Sequence, residues 1–168
     1  MEVKGYKAFN KGLTNRYGRK FEIGKQYSLD GKISFGNDGN GFHFCKNIED
    51  TLRYFDGVDG EIEIAEVIGS GEIVTNEDEY NGFYDMYSAQ RIKINKKIER
   101  QELVNMFPTT ITTEPRVVRF IQLFRLTEKE IEMFKLKYAG SIMVMDAIAY
   151  YQEGQKDVYE KRHKVKEK

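Results

Sequence analysis

A run of alternating apolar and acidic residues over positions 61–68 is the sequence feature that most constrains how this chain folds. Ile62 and Ile64 alternate with glutamates there, which is the period-2 pattern of a strand with one buried face. Weaker alternation over Val3–Phe9 and Ala89–Ile98 predicts two further strands. The first part of the chain is therefore predicted to form a mainly antiparallel sheet.

Glycine-containing segments predict where these strands turn. Asp30-Gly31 is a hairpin dipeptide, so residues 32–35 are expected to form the return strand. Gly69-Ser70-Gly71 is expected to turn the chain after the alternating run. The glycine-rich segment 36–41 is interpreted as a turn and not as a phosphate loop, because a strand-like run follows it where a phosphate loop needs a helix.

Helical patterns are confined to a short central segment and to the second half of the chain. Apolar spacing predicts a helix over Ile48–Phe55 with Asn47 as its N-cap. Thr127 begins a capping box with a glutamate three residues later. Ile142–Tyr151 is the most apolar segment, and at about ten residues it predicts a buried helix and not a membrane span.

Two closely spaced prolines, Pro108 and Pro115, mark a change in composition. Glycine- and aromatic-rich sequence precedes them, and helical periodicity with almost no glycine follows. The fold class is therefore predicted to be α+β. We expect an antiparallel-sheet module over residues 1–98 and a helical extension over residues 99–168.

The charge balance and the single cysteine narrow the functional classes. The 168 residues include 27 basic and 27 acidic side chains, so the total charge does not indicate a nucleic-acid partner. Cys45 alone cannot form an intramolecular disulfide and suits a reducing compartment. No signal-peptide pattern follows Met1, so the expected location is the cytoplasm.

His43 and Cys45 are the residues whose chemistry stands out. They alternate on one predicted strand, so they face the same side, roughly 6.5–7 Å apart at Cα. That spacing is poor for a cysteine–histidine catalytic pair, and a packed histidine and a buried thiol are the preferred interpretations. No metal site is expected, because no further ligands complete the set and His163 lies in a charged tail.

Other polar and aromatic residues are open to two interpretations. Gln90 and Arg91 would contact a polar ligand or simply cover an edge strand. Three tyrosines would line a groove or make ordinary interface contacts, namely Tyr80, Tyr84 and Tyr87.

Several short blocks resemble a family of small uncharacterised proteins that is common in phage and prophage genomes. The residues that carry the resemblance run from Lys4-Gly5-Tyr6-Lys7-Ala8-Phe9 through Gly41-Phe42-His43-Phe44-Cys45 to Arg91-Ile92-Lys93-Ile94. The resemblance covers about the first hundred residues and implies no activity. The helical part after Glu99 lies outside it.

A second resemblance is to the ADP-ribosyltransferase fold. Gly41-Phe42-His43-Phe44 and Tyr54 stand where that family has its NAD-stacking strand and a helix ending in tyrosine. The resemblance implies NAD as the cofactor. The first strand offers only Tyr6 and Lys7 in place of the usual histidine or arginine, and Gln90 is the nearest match to the catalytic glutamate.

The function expected from these observations is binding. A phage or prophage accessory protein would bind a host or phage protein, for example a host defence nuclease, as anti-CRISPR-like proteins do. The alternative is an NAD-dependent ADP-ribosyltransferase-like enzyme that modifies a host protein. A third expectation is self-association through Ile142–Tyr151. The candidate ligand-binding residues are Tyr6, Lys7, His43 and Arg91, and the candidate catalytic residues are His43, Tyr54 and Gln90.

Overall fold

The described part of the chain consists of strands followed by helices. The structure, a computed structural model, describes residues 1–35, 39–55, 57, 60–76 and 84–164, with side chains described as far as residue 155. Within these residues the strands are β1 (Glu2–Phe9), β2 (Gln26–Ser28), β3 (Phe42–Cys45), β4 (Glu63–Thr75) and β5 (Met86–Ile98). The helices there are α1 (Thr51–Tyr54), which follows a 3-10 turn at Ile48–Asp50, α2 (Arg100–Met106), α3 (Glu114–Leu123), α4 (Glu128–Lys137) and α5 (Ile142–Lys164). The predicted α+β class, with a mainly antiparallel sheet and later helices, is confirmed.

The strand pairings close into a ring. The strand β5 pairs with β3 and β2 along one edge and with β4 along the other. The strand β1 pairs with β4 over its whole length and with β3 at one bridge, where Tyr6 lies opposite Cys45. All of these pairings are antiparallel, so β1, β3, β5 and β4 form a closed loop of strands.

Residues on the two faces of the sheet enter two different apolar clusters. Alternate residues of a strand point to opposite faces, so β4 contributes Ala65 and Val67 to one cluster and Ile64 to the other. We call the first the sheet core; its largest members are Phe9, Phe21, Tyr27, Phe42, Phe44 and Tyr87. We call the second the helical core; it joins Ile62, Ile64 and Ile98 to buried residues of α2, α3, α4 and α5.

The helical core contains residues from both sides of position 98. The division into modules over 1–98 and 99–168 therefore remains a prediction about separable folding, although the two parts share one cluster of buried side chains.

Two register shifts let the long β4–β5 pair serve both cores. On β5, Asn95 is an extra residue opposite the Glu66–Val67 step, and its side chain donates to Glu66 Oε1 at 2.6 Å. Because of this bulge Ile94 enters the sheet core while Ile98 enters the helical core. The predicted single alternating face is thus divided between two cores.

The second shift lies on β4 between Ser70 and Ile73. The turn predicted at Gly69–Gly71 is wrong, because β4 continues through these residues to Thr75. Gly71 has φ of 78°, in the left-handed region that glycine adopts at little cost. The glycine therefore marks a bulge and not the end of a strand.

The return strand predicted over residues 32–35 is also wrong. The strand β2 pairs instead with β5, where Tyr27 lies opposite Ile92. Residues 32–35 form a loop that Asn40 stabilises, since its amide donates to Asp30 O at 2.8 Å and to Lys32 O at 3.3 Å. Side-chain hydrogen bonds to the backbone replace strand pairing here.

The helix predicted over Ile48–Phe55 is shorter and tighter than expected. It consists of the 3-10 turn and the four residues of α1. Asn47 makes no side-chain cap to the backbone and donates instead to Asp50 Oδ2 at 2.9 Å. The predicted role of Asn47 as an N-cap is therefore wrong.

The later helices follow the sequence closely. The capping box is confirmed, since Thr127 accepts from the Glu130 N–H and the Glu130 side chain accepts from the Thr127 N–H. Ile142–Tyr151 belongs to α5, which buries only one face of that segment: Val144 and Ile148 are buried while Ile142 is 81% exposed. No helix within the described part of the chain combines the length and hydropathy of a membrane span.

Candidate functional site

His43 is held between ring and backbone contacts at the centre of β3. Its neighbours Phe42 and Phe44 enter the sheet core, so its own side chain lies on the opposite face. The imidazole packs edge-on against Phe35, with ring centroids 5.1 Å apart. Burial lowers the pKa of His43, and the positive charge of Lys7 lowers it further. Both effects favour the uncharged form of the ring.

The side chains of Tyr6 and Lys7 point to opposite faces of β1. Tyr6 packs, partly buried, against the helical core. Lys7 Nζ donates to His43 O at 2.6 Å and lies 5.8 Å from the Phe9 ring centroid. Burial around this ammonium lowers the pKa of Lys7 to about 8, although the residue as a whole keeps intermediate solvent exposure. The predicted ligand-binding residues of β1 are therefore not on one surface.

Gln90 and Arg91 lie beside the glycine bulge of β4. Gln90 Oε1 accepts from the Glu72 N–H at 3.4 Å, and Arg91 Nε donates to Ser70 Oγ at 3.3 Å. These contacts stabilise the bulge, so both side chains have a structural role. Their predicted roles in ligand binding and catalysis remain predictions.

Tyr54 belongs to a network centred on the buried carboxylate of Asp85. The Tyr54 hydroxyl lies 2.8 Å from Asp85 Oδ1, Asn76 Nδ2 donates to the same oxygen at 2.8 Å, and Arg53 Nη1 donates to Oδ2 at 3.1 Å. Burial of Asp85 opposes ionisation, but the hydrogen bonds from Asn76 and Tyr54 and the charge of Arg53 outweigh it and lower the pKa of Asp85. Burial and the Asp85 carboxylate raise the pKa of Tyr54 to about 12.

A second buried carboxylate, Asp50, lies beside Arg116 of α3. Arg116 Nε is 3.1 Å from Asp50 Oδ1, but its N–H is not directed at that oxygen, so the contact is an ion pair without a hydrogen bond. Arg116 Nη1 donates to Thr112 O at 2.8 Å. Burial raises the pKa of Asp50 more than Asn47 and Arg116 lower it.

One arginine from each network, Arg53 and Arg116, lines a surface cavity of about 420 Å³ between α1 and α3. Its described lining residues are Arg53, Pro115, Arg116 and Arg119, and we call this cavity the arginine cleft. Arg119 Nε donates to Leu52 O at 2.7 Å, which ties α3 to α1. A cavity lined by three guanidinium groups presents positive charge and many N–H donors, so it suits an anionic ligand.

Cys45 is buried near the arginine cleft but is not a reactive thiol. It is 4% exposed, and burial and the negative charge of Asp50 raise its pKa. The thiol therefore stays protonated and behaves as a small apolar side chain, in agreement with the preferred sequence interpretation.

Two further predictions concern a metal site and a groove lined by tyrosines. Among the described residues, no group of three or more His, Cys, Asp or Glu side chains is placed to hold a metal ion. Tyr84 and Tyr87 contact each other with ring centroids 5.6 Å apart, but Tyr80, the third tyrosine of the predicted groove, lies outside the described residues.

Sequence reasoning overlooked the residues that form the arginine cleft. Arg116 and Arg119 are three positions apart on a predicted helix, so they share a face, and this spacing was the available signal. Their proximity to Arg53 depends on how α3 packs on α1, which no local pattern specifies. Asp50 and Asp85, which pair with two of these arginines, are distant in sequence and come close to each other only in the fold.

The fold and the cleft define an α+β protein whose closed antiparallel sheet is covered by helices and which carries an arginine-lined cavity. A family model described as Domain of unknown function (DUF7666) matches residues 3–106, more than half of the chain, so the protein belongs to that family. The match spans all five described strands and α2. The comparisons with curated proteins and with solved structures found no match.

The family description names no activity. The predicted membership of an uncharacterised family is confirmed by this match. The match gives no information on phage origin or on similarity to ADP-ribosyltransferases.

Proposed function

We propose that this protein acts by binding a macromolecular partner through the arginine cleft and not by catalysis. The observation that carries the proposal is the cleft itself, where Arg53, Arg116 and Arg119 line one concave surface. The predicted catalytic residues, by contrast, make separate structural contacts: His43 with Phe35, Tyr54 with Asp85, and Gln90 with the Glu72 N–H. The partner is a protein with an acidic or otherwise anionic segment.

The biological setting we propose is that of a phage or prophage accessory protein in a bacterial cytoplasm. The partner is then a host or phage protein, and a host defence nuclease is the target we favour. The support for this setting is the resemblance of the first hundred or so residues to proteins common in phage and prophage genomes.

Site-specific crosslinking tests the proposed surface. A photo-crosslinking residue in place of Gln122, an exposed position one turn after Arg119, should capture a defined protein in bacterial cells. The same residue in place of Glu132, which is exposed on α4, is the matched control and should not capture it. Capture should disappear when Arg119→Glu reverses one charge of the cleft. Equal capture from both positions would contradict the proposal.

An NAD-dependent transferase is the second candidate. The observation that favours it is the order of elements, since β3 with His43 leads into the helix that ends at Tyr54 and then into β4, as in the resemblance. This candidate requires that the protein releases nicotinamide from NAD and that His43→Ala abolishes this release. Tyr150→Ala, at an exposed tyrosine of α5, should leave the release unchanged. That result would replace the binding proposal with an enzymatic one.

A further inference from the structure

We infer that the group recognised by the arginine cleft is a phosphate. This inference rests on the proposed binding function of the same cleft and adds the chemistry of its ligand. The reasons are the fixed orientation of the three guanidinium groups, the distribution of charge around them, and the composition of the cavity wall.

Each guanidinium group of the cleft contacts an oxygen atom of a buried residue, which holds it in place. Arg53 is bound to Asp85, which is 2% exposed, and Arg116 lies against Asp50, which is 5% exposed. Arg119 donates to the carbonyl of Leu52, a fully buried residue. Anchored side chains lose less conformational entropy when a ligand binds, so the cleft is organised before the ligand arrives.

The charges around the cleft favour an anion over a neutral ligand. Three positive groups line the cavity, while the carboxylates of Asp50 and Asp85 lie behind them and are shielded from solvent. Among the described residues of the adjoining turns, Glu49 and Glu114 are further acids, and Glu49 is close enough to feel the charge of Arg116. Among the described residues the lining itself therefore contains only basic and apolar side chains, although the four carboxylates around it outnumber the three guanidinium groups.

The number of guanidinium groups distinguishes phosphate from carboxylate. A planar carboxylate is satisfied by one bidentate arginine, whereas the oxygens of a phosphate point in several directions and accept from several arginines at once. Three arginines that line one cavity therefore match a phosphate better than a carboxylate. None of the described lining residues is aromatic, so the cleft provides no stacking surface for a nucleobase and recognises the phosphate itself.

Calorimetric titration at constant ionic strength tests the inference with three probes: inorganic phosphate, phosphoserine and glutarate, a dicarboxylate control. Both phosphates should bind and glutarate should not. Arg119→Gln should weaken phosphate binding about tenfold, the loss expected for one charge-assisted hydrogen bond. Arg125→Gln is the matched control, since Arg125 is 73% exposed outside the cleft, and it should bind phosphate as the unmodified protein does.

A double variant protects the test against misfolding. Arg53→Gln combined with Asp85→Asn removes both charges of an ion pair in which Asp85 is buried and Arg53 is 53% exposed, so no buried carboxylate is left without its arginine. It should also weaken phosphate binding. Equal binding of glutarate and phosphate, or equal losses in the Arg119 and Arg125 variants, would overturn the inference.

The two probes also distinguish the source of the phosphate. Tighter binding of phosphoserine indicates a phosphorylated protein segment, and tighter binding of inorganic phosphate indicates a free ion. If crosslinking at position 122 succeeds and neither phosphate binds, the phosphate inference fails while the binding proposal stands. If phosphate binds and no partner is captured, the binding proposal fails instead.

Discussion

At the scale of single residues, Phe44 determines how closely the strands of the closed sheet can pack. A side chain on Gly5 or on Gly69 would collide with the Phe44 ring, and the collision at Gly5 also involves the carbonyl of Cys45. Glycine is needed at both positions because β1 and β4 pack directly against one buried aromatic ring. The glycines are therefore a consequence of the fully buried phenylalanine.

We expect Gly69→Ala to destabilise the protein by about 1–3 kcal/mol, the usual cost of overpacking a core. The added methyl group would lie 2.5 Å from Phe44 Cζ, and Phe44 is only 1% exposed. Gly154→Ala is the matched control, because nothing lies within 4 Å of that position on α5 and alanine favours a helix. Urea unfolding of both variants checks this, and equal stability of the two would show that the core around Phe44 is loose.

The Asp85 network predicts a pH dependence of stability. The pKa of Asp85 is lower in the folded protein, so the folded state binds fewer protons near that pH than the unfolded chain. The stabilisation is complete above the unfolded pKa of about 3.9 and is lost as the pH falls below it. Asp50 has a raised pKa and acts in the opposite direction, so the contribution of Asp85 has to be isolated by mutation.

Asp85→Asn should lower the free energy of unfolding at pH 7 by about 1.5–3 kcal/mol, the range for hydrogen bonds to a charged group. Its loss of stability between pH 5 and about pH 3 should be smaller than that of the unmodified protein. Asp146→Asn, at an exposed aspartate of α5, is the control and should follow the unmodified curve. Parallel curves for the Asp85 variant and the unmodified protein would show that Tyr54, Asn76 and Arg53 do not stabilise the carboxylate.

At the scale of elements, sequence periodicity identified most strands and helices, and failed where the backbone departs from a regular repeat. The strand β1, the start of α5 and the capping box of α4 lie where local patterns predict them. The bulge at Gly71 was interpreted as a turn, because a glycine that bends a strand and one that ends it look alike in sequence. The arginine cleft was overlooked because it depends on contacts between α1 and α3.

The exposed face of α5 is the place to test self-association. Ile142 is 81% exposed, and Met143 and Tyr150 lie seven positions apart on the same helix face with 49% and 82% exposure. If the segment Ile142–Tyr151 joins two copies, Ile142→Glu should shift the sedimentation coefficient from that of an oligomer to that of a monomer. Met145 is unsuitable for this test because it packs partly against the helical core.

Ile111→Glu is the control for this experiment, because Ile111 is similarly exposed, at 84%, and lies before α3. It should leave the sedimentation coefficient unchanged. A monomer at every concentration in the unmodified protein would rule out the α5 interface.

At the scale of the whole molecule, the sheet and the helices share the helical core. Ile62, just before β4, and the strand residues Ile64 and Ile98 are each less than 5% exposed because buried side chains of the later helices cover them. Burying an apolar side chain of this size contributes about 1.5–3 kcal/mol. Removing the helices would expose an apolar face of the sheet.

We therefore expect residues 1–98, produced alone, to lose cooperative unfolding and to bind the dye ANS, because the sheet face has no cover. Circular dichroism and a urea titration check this against the full chain. A cooperative transition in the shorter chain would instead support an independently folding module that ends at residue 98.

The extra residue at Asn95 also limits how this family can change in length. Everything on β5 after Asn95 is out of phase with everything before it, and this difference directs Ile94 to one core and Ile98 to the other. Deleting Asn95 itself would remove the bulge and still leave Ile94 opposite Val67 and Ile98 opposite Ile64, so both isoleucines would keep their cores. Loss of Lys93 would instead place Ile94 on the face opposite to Ile92. A one-residue deletion should therefore survive selection at position 95 and not at position 93, whatever ligand the protein binds.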